Sequence, residues 1–252
     1  MPKFFVEKED FKDGYILIKD EDAIHINSVL RMKINDEIIC CDNNSNDYRC
    51  LITQLDKKLV KASILEKFKN ENEPSIKVTL YQGISKGERM ELTIQKCVEG
   101  GIDKIVPVIT DYTAVNFKGK EEKKIKRWNK ISESAAKQCG RGKIPVVENI
   151  MNFKDAVNYA LKYNENIIFP YEKEEENSLK NAVKSIISGS IAVFIGPEGG
   201  FSQEEIQFIK EKGIKTISLG KRILRTETAG LVTLVIILYE LEDSYNFNKQ
   251  EL

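Results

Sequence analysis

Apolar residues follow two different rhythms along this chain. Up to about residue 70 they come in short runs: Tyr15-Ile16-Leu17-Ile18, Glu37 to Asp42, Tyr48 to Gln54 and Leu59 to Phe68. Polar turn residues separate them, most densely Asn43-Asn44-Ser45-Asn46-Asp47. Short β-rich runs at regular spacing predict a small β-barrel. One helix is embedded in it, from about Asp22 to Arg31, and Asn35-Asp36 supplies the turn that follows. Lys69-Asn70-Glu71-Asn72-Glu73-Pro74 is polar, ends in proline and reads as a linker. Beyond it strands and helices alternate. Strands are expected at Ile76 to Tyr81, Ile105 to Ile109, Ile167 to Pro170, Ile191 to Ile195 and Thr216 to Leu219. Helices are expected at Lys86 to Gly100, Lys120 to Cys139, Phe153 to Leu161, Asn177 to Ser188, Ser202 to Lys212 and Thr226 to Leu241. That alternation implies a mostly parallel sheet with helices on both faces. The division expected is therefore 1–70 for the barrel and 74–246 for the α/β domain.

Composition narrows the possibilities. The longest apolar stretch, Leu231 to Leu238, is far too short to span a bilayer, so no membrane role is expected. It is apolar nearly all round, the mark of a helix buried on more than one side, and a subunit interface would supply the second side. Met1 to Asp10 is charged and has no apolar core of a signal peptide. The five cysteines include no CxxC pair and there is one histidine, His25, so a metal site is not expected. Reduced thiols fit a cytoplasmic protein. The formal net charge is zero, so any nucleic-acid surface must be local. From Lys118 to Lys143 ten Lys/Arg face three glutamates, with Trp128 inside the run. Such a run is either a solvated helix face or an RNA surface.

Candidate chemistry concentrates in two strand-to-helix turns near the C-terminus. One is Ile195-Gly196-Pro197-Glu198-Gly199-Gly200-Phe201-Ser202 and the other is Leu219-Gly220-Lys221-Arg222-Ile223-Leu224-Arg225-Thr226-Glu227-Thr228-Ala229. In α/β sheets ligands bind outside the carboxyl ends of strands, so both turns can serve one ligand. Ser202 and Glu205 fit a capping box, Gly199-Gly200 permits close backbone approach, and Thr226 is placed to cap the last helix. No GxxxxGK[ST] and no strand-borne GxGxxG occurs, which excludes the common phosphate-cradling loops. Two readings of Arg225 stay open: an ion pair with Glu198 or Glu227 that fixes the loop, or a cation that orients an electron-rich substrate.

These segments resemble those of the bacterial 16S rRNA (uracil-N3)-methyltransferases, the RsmE group of the SPOUT superfamily. The similarity runs nearly end to end. It includes His25-x-x-x-Val29-Leu30-Arg31 with Lys33-x-x-Asp36, Lys86-Gly87-x-x-Met90-Glu91, and Gln95-Lys96-x-x-Glu99. It continues through Arg127-Trp128-x-Lys130-Ile131 and Gln138-Cys139-Gly140-Arg141-x-x-x-Pro145. Two positions depart from the family pattern: Gly100 replaces a usual leucine, and Lys137 stands where glutamate is frequent. The resemblance implies a PUA-like RNA-binding N-terminal barrel, a SPOUT domain with a trefoil knot, a homodimer, and S-adenosylmethionine as methyl donor. It implies methylation of uracil N3 in 16S rRNA of the small ribosomal subunit. It places cofactor contacts on Ile195, Gly196, Pro197 and Glu198, and on Leu219, Gly220, Ile223, Leu224, Arg225 and Thr228. Phe169-Pro170-Tyr171 ends a third strand and is expected to add contacts to the adenosine.

Arg225 is the expected stabiliser of the charge that N3 pushes onto the flanking carbonyls. Glu198 is the second catalytic candidate. A carboxylate near a helix N-terminus is stabilised as the anion, so positioning ranks above base catalysis for it. RNA contacts are expected at Arg31, Lys33, Arg127, Gln138 and Arg141. His25 reads as a half-buried helix residue. The competing classes are a SPOUT methyltransferase of another RNA and an RNA-binding module without catalysis.

Overall fold

A computed structural model describes residues 1–114 and 119–247, the last five by backbone alone. Lys118, the first cation of the basic run, lies outside the described residues. The chain divides into two units: Met1–Glu73 with Ala136–Ile144, and Pro74–Ala135 with Pro145–Leu252.

The first unit is built on a six-stranded sheet. Its strands are β1 (Lys3–Phe5), β2 (Phe11–Lys12), β3 (Tyr15–Lys19), β4 (Glu37–Cys41), β5 (Asn46–Asp56) and β6 (Leu59–Lys69), in spatial order β1-β4-β5-β6-β3-β2. All pairings are antiparallel except β1 with β4. Alternation explains the core: Ile16, Ile18, Ile38, Cys40, Ile52, Val60 and Ala62 point to one buried cluster, as period-two side chains must. Lys57-Lys58 closes the long β5–β6 hairpin, which carries two register shifts. The expected helix is shorter and less regular than its pattern suggested. Helix α1 (Asp20–Ile24) passes into one π turn, His25–Val29, burying Ala23 and Ile26. Arg31 follows with φ 53° and Asn35 with φ 76°, so the chain leaves the helix by two left-handed steps. Strands β1 and β2, three and two residues long, carry too little pattern to be read from sequence.

The second unit holds a sheet whose pairings are all parallel. It comprises β7 (Val78–Gly83), β8 (Lys104–Ile109), β9 (Val146–Val147), β10 (Met151–Asn152), β11 (Asn166–Pro170), β12 (Ile191–Ile195) and β13 (Thr216–Ile217). The order is β10-β8-β7-β12-β11-β13, with β9 beside β8. The central strands β7 and β12 are buried at every residue, and β12 reads accordingly as a continuous apolar run. Helices α4 (Phe153–Tyr163) and α6 (Gln203–Glu211) close one face. There Phe153, Phe169, Phe194 and Phe201 pack with Tyr81. Helices α2 (Arg89–Glu99) and α7 (Thr226–Phe247) pack together against the other face. Gly230 of α7 lies against Leu80 and Cys97. The remaining helices are α3 (Glu121–Gln138) and α5 (Leu179–Lys184).

Packing accounts for the two departures from the family pattern. A Cβ at Gly100 would stand 3.1 Å from Leu231 and 3.3 Å from Leu234, so α7 already fills the space a leucine would take. Lys137, in the first unit, donates to Asp22 at 2.8 Å. None of the five cysteines, all of them described, forms a disulfide. Among the described residues no helix is long and apolar enough to cross a membrane.

Candidate active site

Strands β11, β12 and β13 run parallel, so their carboxyl ends deliver three loops to one edge of the sheet. Those loops enclose a cleft of about 580 Å³, within the size range of small-molecule sites. Pro170, Tyr171 and Glu172 come from the first loop, residues 195–201 from the second, and residues 218–227 with Ala229 from the third.

The second loop is held by close approach and by one buried chain of hydrogen bonds. A Cβ on Gly83 would come within 2.5 Å of Pro197, so only glycine lets the loop lie on the end of β7. Gln82 is fully buried. Its Nε2 donates to Thr226 Oγ1 at 2.8 Å, and that hydroxyl donates to Gly196 O at 2.6 Å. Thr226 is thus the first residue of α7, with its hydroxyl spent across the cleft floor on the neighbouring loop. The Ser202 capping box forms as expected: Ser202 Oγ accepts from Glu205 N, and Glu205 accepts from Ser202 N. Burial raises the Glu205 carboxyl, against the amides of Ser202 and Asp111 that donate to it. Gly200 adopts φ 70° and closes a turn onto Pro197 O.

The other two loops have their own restraints. Glu174 accepts from the Thr216 hydroxyl and from the amides of Asn177 and Glu176. Those hydrogen bonds hold its carboxyl down at about 2 and tie the first loop to β13. In the third loop Gly220 takes φ 107°, which only glycine adopts without strain. Ile223 stands 89% exposed at the rim.

Ten of the twelve residues expected at the cofactor line this cleft: Pro170, Ile195, Gly196, Pro197, Glu198, Leu219, Gly220, Ile223, Leu224 and Arg225. Phe169 does not. It is fully buried in the aromatic core behind the wall, because side chains alternate along β11 and its turn faces α4. Thr228 does not either; it is exposed on the first turn of α7, its amide bonded to Arg225 O.

The charged residues separate clearly. Arg225 pairs with neither Glu198 nor Glu227; its side chain is exposed, with no ion pair among the described residues. Glu198 is instead bound to Arg89, at 2.6 Å, and accepts from Lys86 N at 3.1 Å. Burial pushes the Glu198 carboxyl up, but its own amide, Arg89 and Lys86 outweigh this and hold it below the ordinary value. That makes Glu198 a poor proton acceptor and a good strut between loops. Gln82, Gly83 and Arg89 were missed in the sequence. A glutamine near the end of a mostly apolar central strand is the signal the sequence carries.

The expected RNA residues are scattered in environment. Arg31 and Lys33 are exposed beyond the π turn, and His25 is exposed there too, its ring edge-on to Phe4. Gln138 is exposed, and Arg127 is largely exposed while donating to Glu91 at 2.7 Å. Arg141 is a correction. It is 4% exposed and makes a two-pronged bond to Glu73, with Nε and Nη2 both at 2.8 Å. Its guanidinium anchors the loop instead of facing solvent. Trp128 is also buried, so the face of α3 that carries it is core.

The chain matches two family models: an RNA methyltransferase domain over residues 71–238 and an RNA methyltransferase PUA domain over residues 18–65. It is 31% identical to the ribosomal RNA small subunit methyltransferase E of Bacillus subtilis, covering 96% of this chain and 98% of that one. To the protein of the same name from Mesomycoplasma hyopneumoniae it is 36% identical, covering 93% and 97%. A crystal structure of the Neisseria gonorrhoeae ribosomal RNA small subunit methyltransferase E, bound to S-adenosyl methionine, superposes with a TM-score of 0.84. Identity there is 32%, over 95% of this chain and 98% of that one.

Proposed function

The chain belongs to the ribosomal RNA small subunit methyltransferase E family, and on that premise we propose that it methylates N3 of a uracil in 16S rRNA, with S-adenosylmethionine as donor. One observation carries the reading. The three-loop cleft offers backbone groups and apolar walls to an adenosyl ligand while Arg225 stands at it with no carboxylate partner among the described residues.

The residues fit the cofactor. Pro170, Tyr171, Leu219 and Leu224 supply apolar surface of the kind adenosine takes. The turns at Gly196–Gly200 and Ser218–Gly220 present main-chain polar groups, set by glycines at positive φ. When bound, S-adenosylmethionine supplies a methyl group on a sulfonium, open to in-line displacement. The protein's part is positioning and charge. The Gln82–Thr226–Gly196 chain and the Glu198–Arg89 pair fix the walls before ligand arrives, so little reorganisation remains for the reaction itself. Arg225 then donates to a uracil carbonyl oxygen as N3 loses its proton and charge spreads onto that oxygen. Glu198 holds the loop, and its lowered carboxyl keeps it out of proton transfer.

The same reading carries a trefoil knot in the domain that holds the parallel sheet, a homodimer through α7, and action in the cytoplasm. RNA is gripped by Arg31, Lys33, Arg127 and Gln138, whose side chains reach solvent. Support for the dimer is the apolar face of α7 that its own fold leaves open, with Val235 46%, Ile236 36% and Tyr239 68% exposed. Mass spectrometry of 16S rRNA from a strain lacking the gene, with and without the plasmid-borne protein, tests the activity. Appearance of 3-methyluridine only with the protein is expected; an equal amount in both would remove the assignment.

A further inference from the structure

We propose that Glu227 reads the target base, its carboxylate accepting the N3–H of uracil; this rests on the function proposed above. Glu227 lies in the first turn of α7 and lines the cleft. Its Oε2 is buried and has no hydrogen-bond partner among the described residues. A buried acceptor left without a donor is costly, and an ionised carboxylate can only accept. No described residue supplies the donor. Arg89 is engaged with Glu198, and Thr226 beside it is engaged with Gly196 and Gln82. Arg225, its neighbour in sequence, makes no ion pair among the described residues. The donor we assign to it is one that enters the cleft Glu227 lines.

The reacting atom of uracil carries such a donor. Cytosine presents a lone pair at the same ring position and would face the carboxylate with like sign. One acceptor placed there both turns N3 towards the methyl and rejects the commonest wrong pyrimidine, because a site built around a hydrogen bond strongly disfavours the analogue that lacks it. The step balances. The N3–H bond breaks and its proton passes to the carboxylate and then to water. The N3 electron pair forms the bond to the methyl carbon, and the carbon–sulfur pair returns to sulfur. Arg225 and Glu227 then hold opposite partners of one imide: the carbonyl oxygen and the N–H.

The test compares Glu227→Gln with the wild type in three measurements. These are S-adenosylmethionine affinity by calorimetry, the methylation rate on small subunits isolated from a strain lacking the gene, and the same rate with the target uridine changed to cytidine. The expected result is unchanged cofactor affinity and a rate on uridine lower by about a hundredfold. The cytidine-to-uridine ratio should rise, since the charge that repels the cytosine lone pair is gone. Cofactor affinity falling in step with the rate would overturn the proposal, placing Glu227 on the cofactor's ammonium instead. An unchanged rate and ratio would also overturn it. If the glutamine variant does not fold, Glu227→Asp, which keeps the acceptor but retracts it, must lose rate without losing cofactor affinity. Failure of the underlying function shows separately, as a wild-type protein that leaves uridine unmethylated, and the proposal falls with it.

Discussion

At the scale of single residues, the structure divides charged groups into those already spent and those left for ligand. Arg225 belongs to the second kind. Arg225→Ala should leave folding intact and lower turnover by about a hundredfold or more at saturating cofactor and RNA; full turnover in that assay would remove its catalytic role. Arg141 and Glu73 belong to the first kind. Burial pushes the Glu73 carboxyl up, but the Arg141 guanidinium and the amides of Gly142 and Lys143 outweigh it and hold it below its ordinary 4.5. The folded state therefore binds this proton more weakly than the unfolded chain. The pair's contribution is full above pH 4.5 and is lost as pH falls through the lower folded value. Glu73→Gln should lower the melting temperature near neutrality and flatten its fall below pH 4.5, read by calorimetry across pH. An unchanged acid slope would show that other carboxylates set it. Arginine and glutamate were both visible in the sequence. Their engagement was not, because they lie 68 positions apart.

At the scale of elements, local rules reached far. Strand Ile191–Ile195 is legible as a buried run, the Ser202–Glu205 capping box is legible as a spacing, and the start of α7 follows Arg225 as expected. Ser202→Ala should cost about 1 kcal/mol in urea unfolding through loss of the cap, and no loss would mean that helix α6 is set by packing alone. What escaped were elements of two or three residues, β1, β2, β9 and β10, and the π turn at His25–Val29, whose side-chain pattern still reads as helical. Such pieces exist only because a neighbouring strand or core position pairs with them. Element ends matter most at the cleft. Gly83→Ala drives a Cβ to 2.5 Å from Pro197, so the loop must move. Activity should fall by about a hundredfold, as displacements of an ångström can cause, with weaker cofactor binding by calorimetry. Wild-type affinity would show that the loop yields freely.

At the scale of the whole molecule, α7 joins cleft and surface. Its inner residues Leu234, Ile237 and Leu238 are buried against the sheet side, while Val235, Ile236 and Tyr239 remain exposed. Ile236→Glu should convert a dimer into a monomer by light scattering; a wild-type monomer would dispose of the dimer altogether. The sequence by itself determined the alternating strands and helices, the β-rich start, the helix caps and the two glycine-bearing turns, because each depends on neighbours within a few positions. It also carried the family motifs in order. Only the tertiary structure decided which charges are free. Arg89 meets Glu198 from 109 positions away and Gln82 meets Thr226 from 144, pairings that no local spacing encodes. That is why Arg225 and Glu227 line the cleft without ion-pair partners among the described residues while Arg141 and Glu198, equally prominent in the sequence, hold the structure together. Hydrogen bonds and ion pairs are chosen by distance in space, and parallel strands bring together loops that the chain itself keeps far apart.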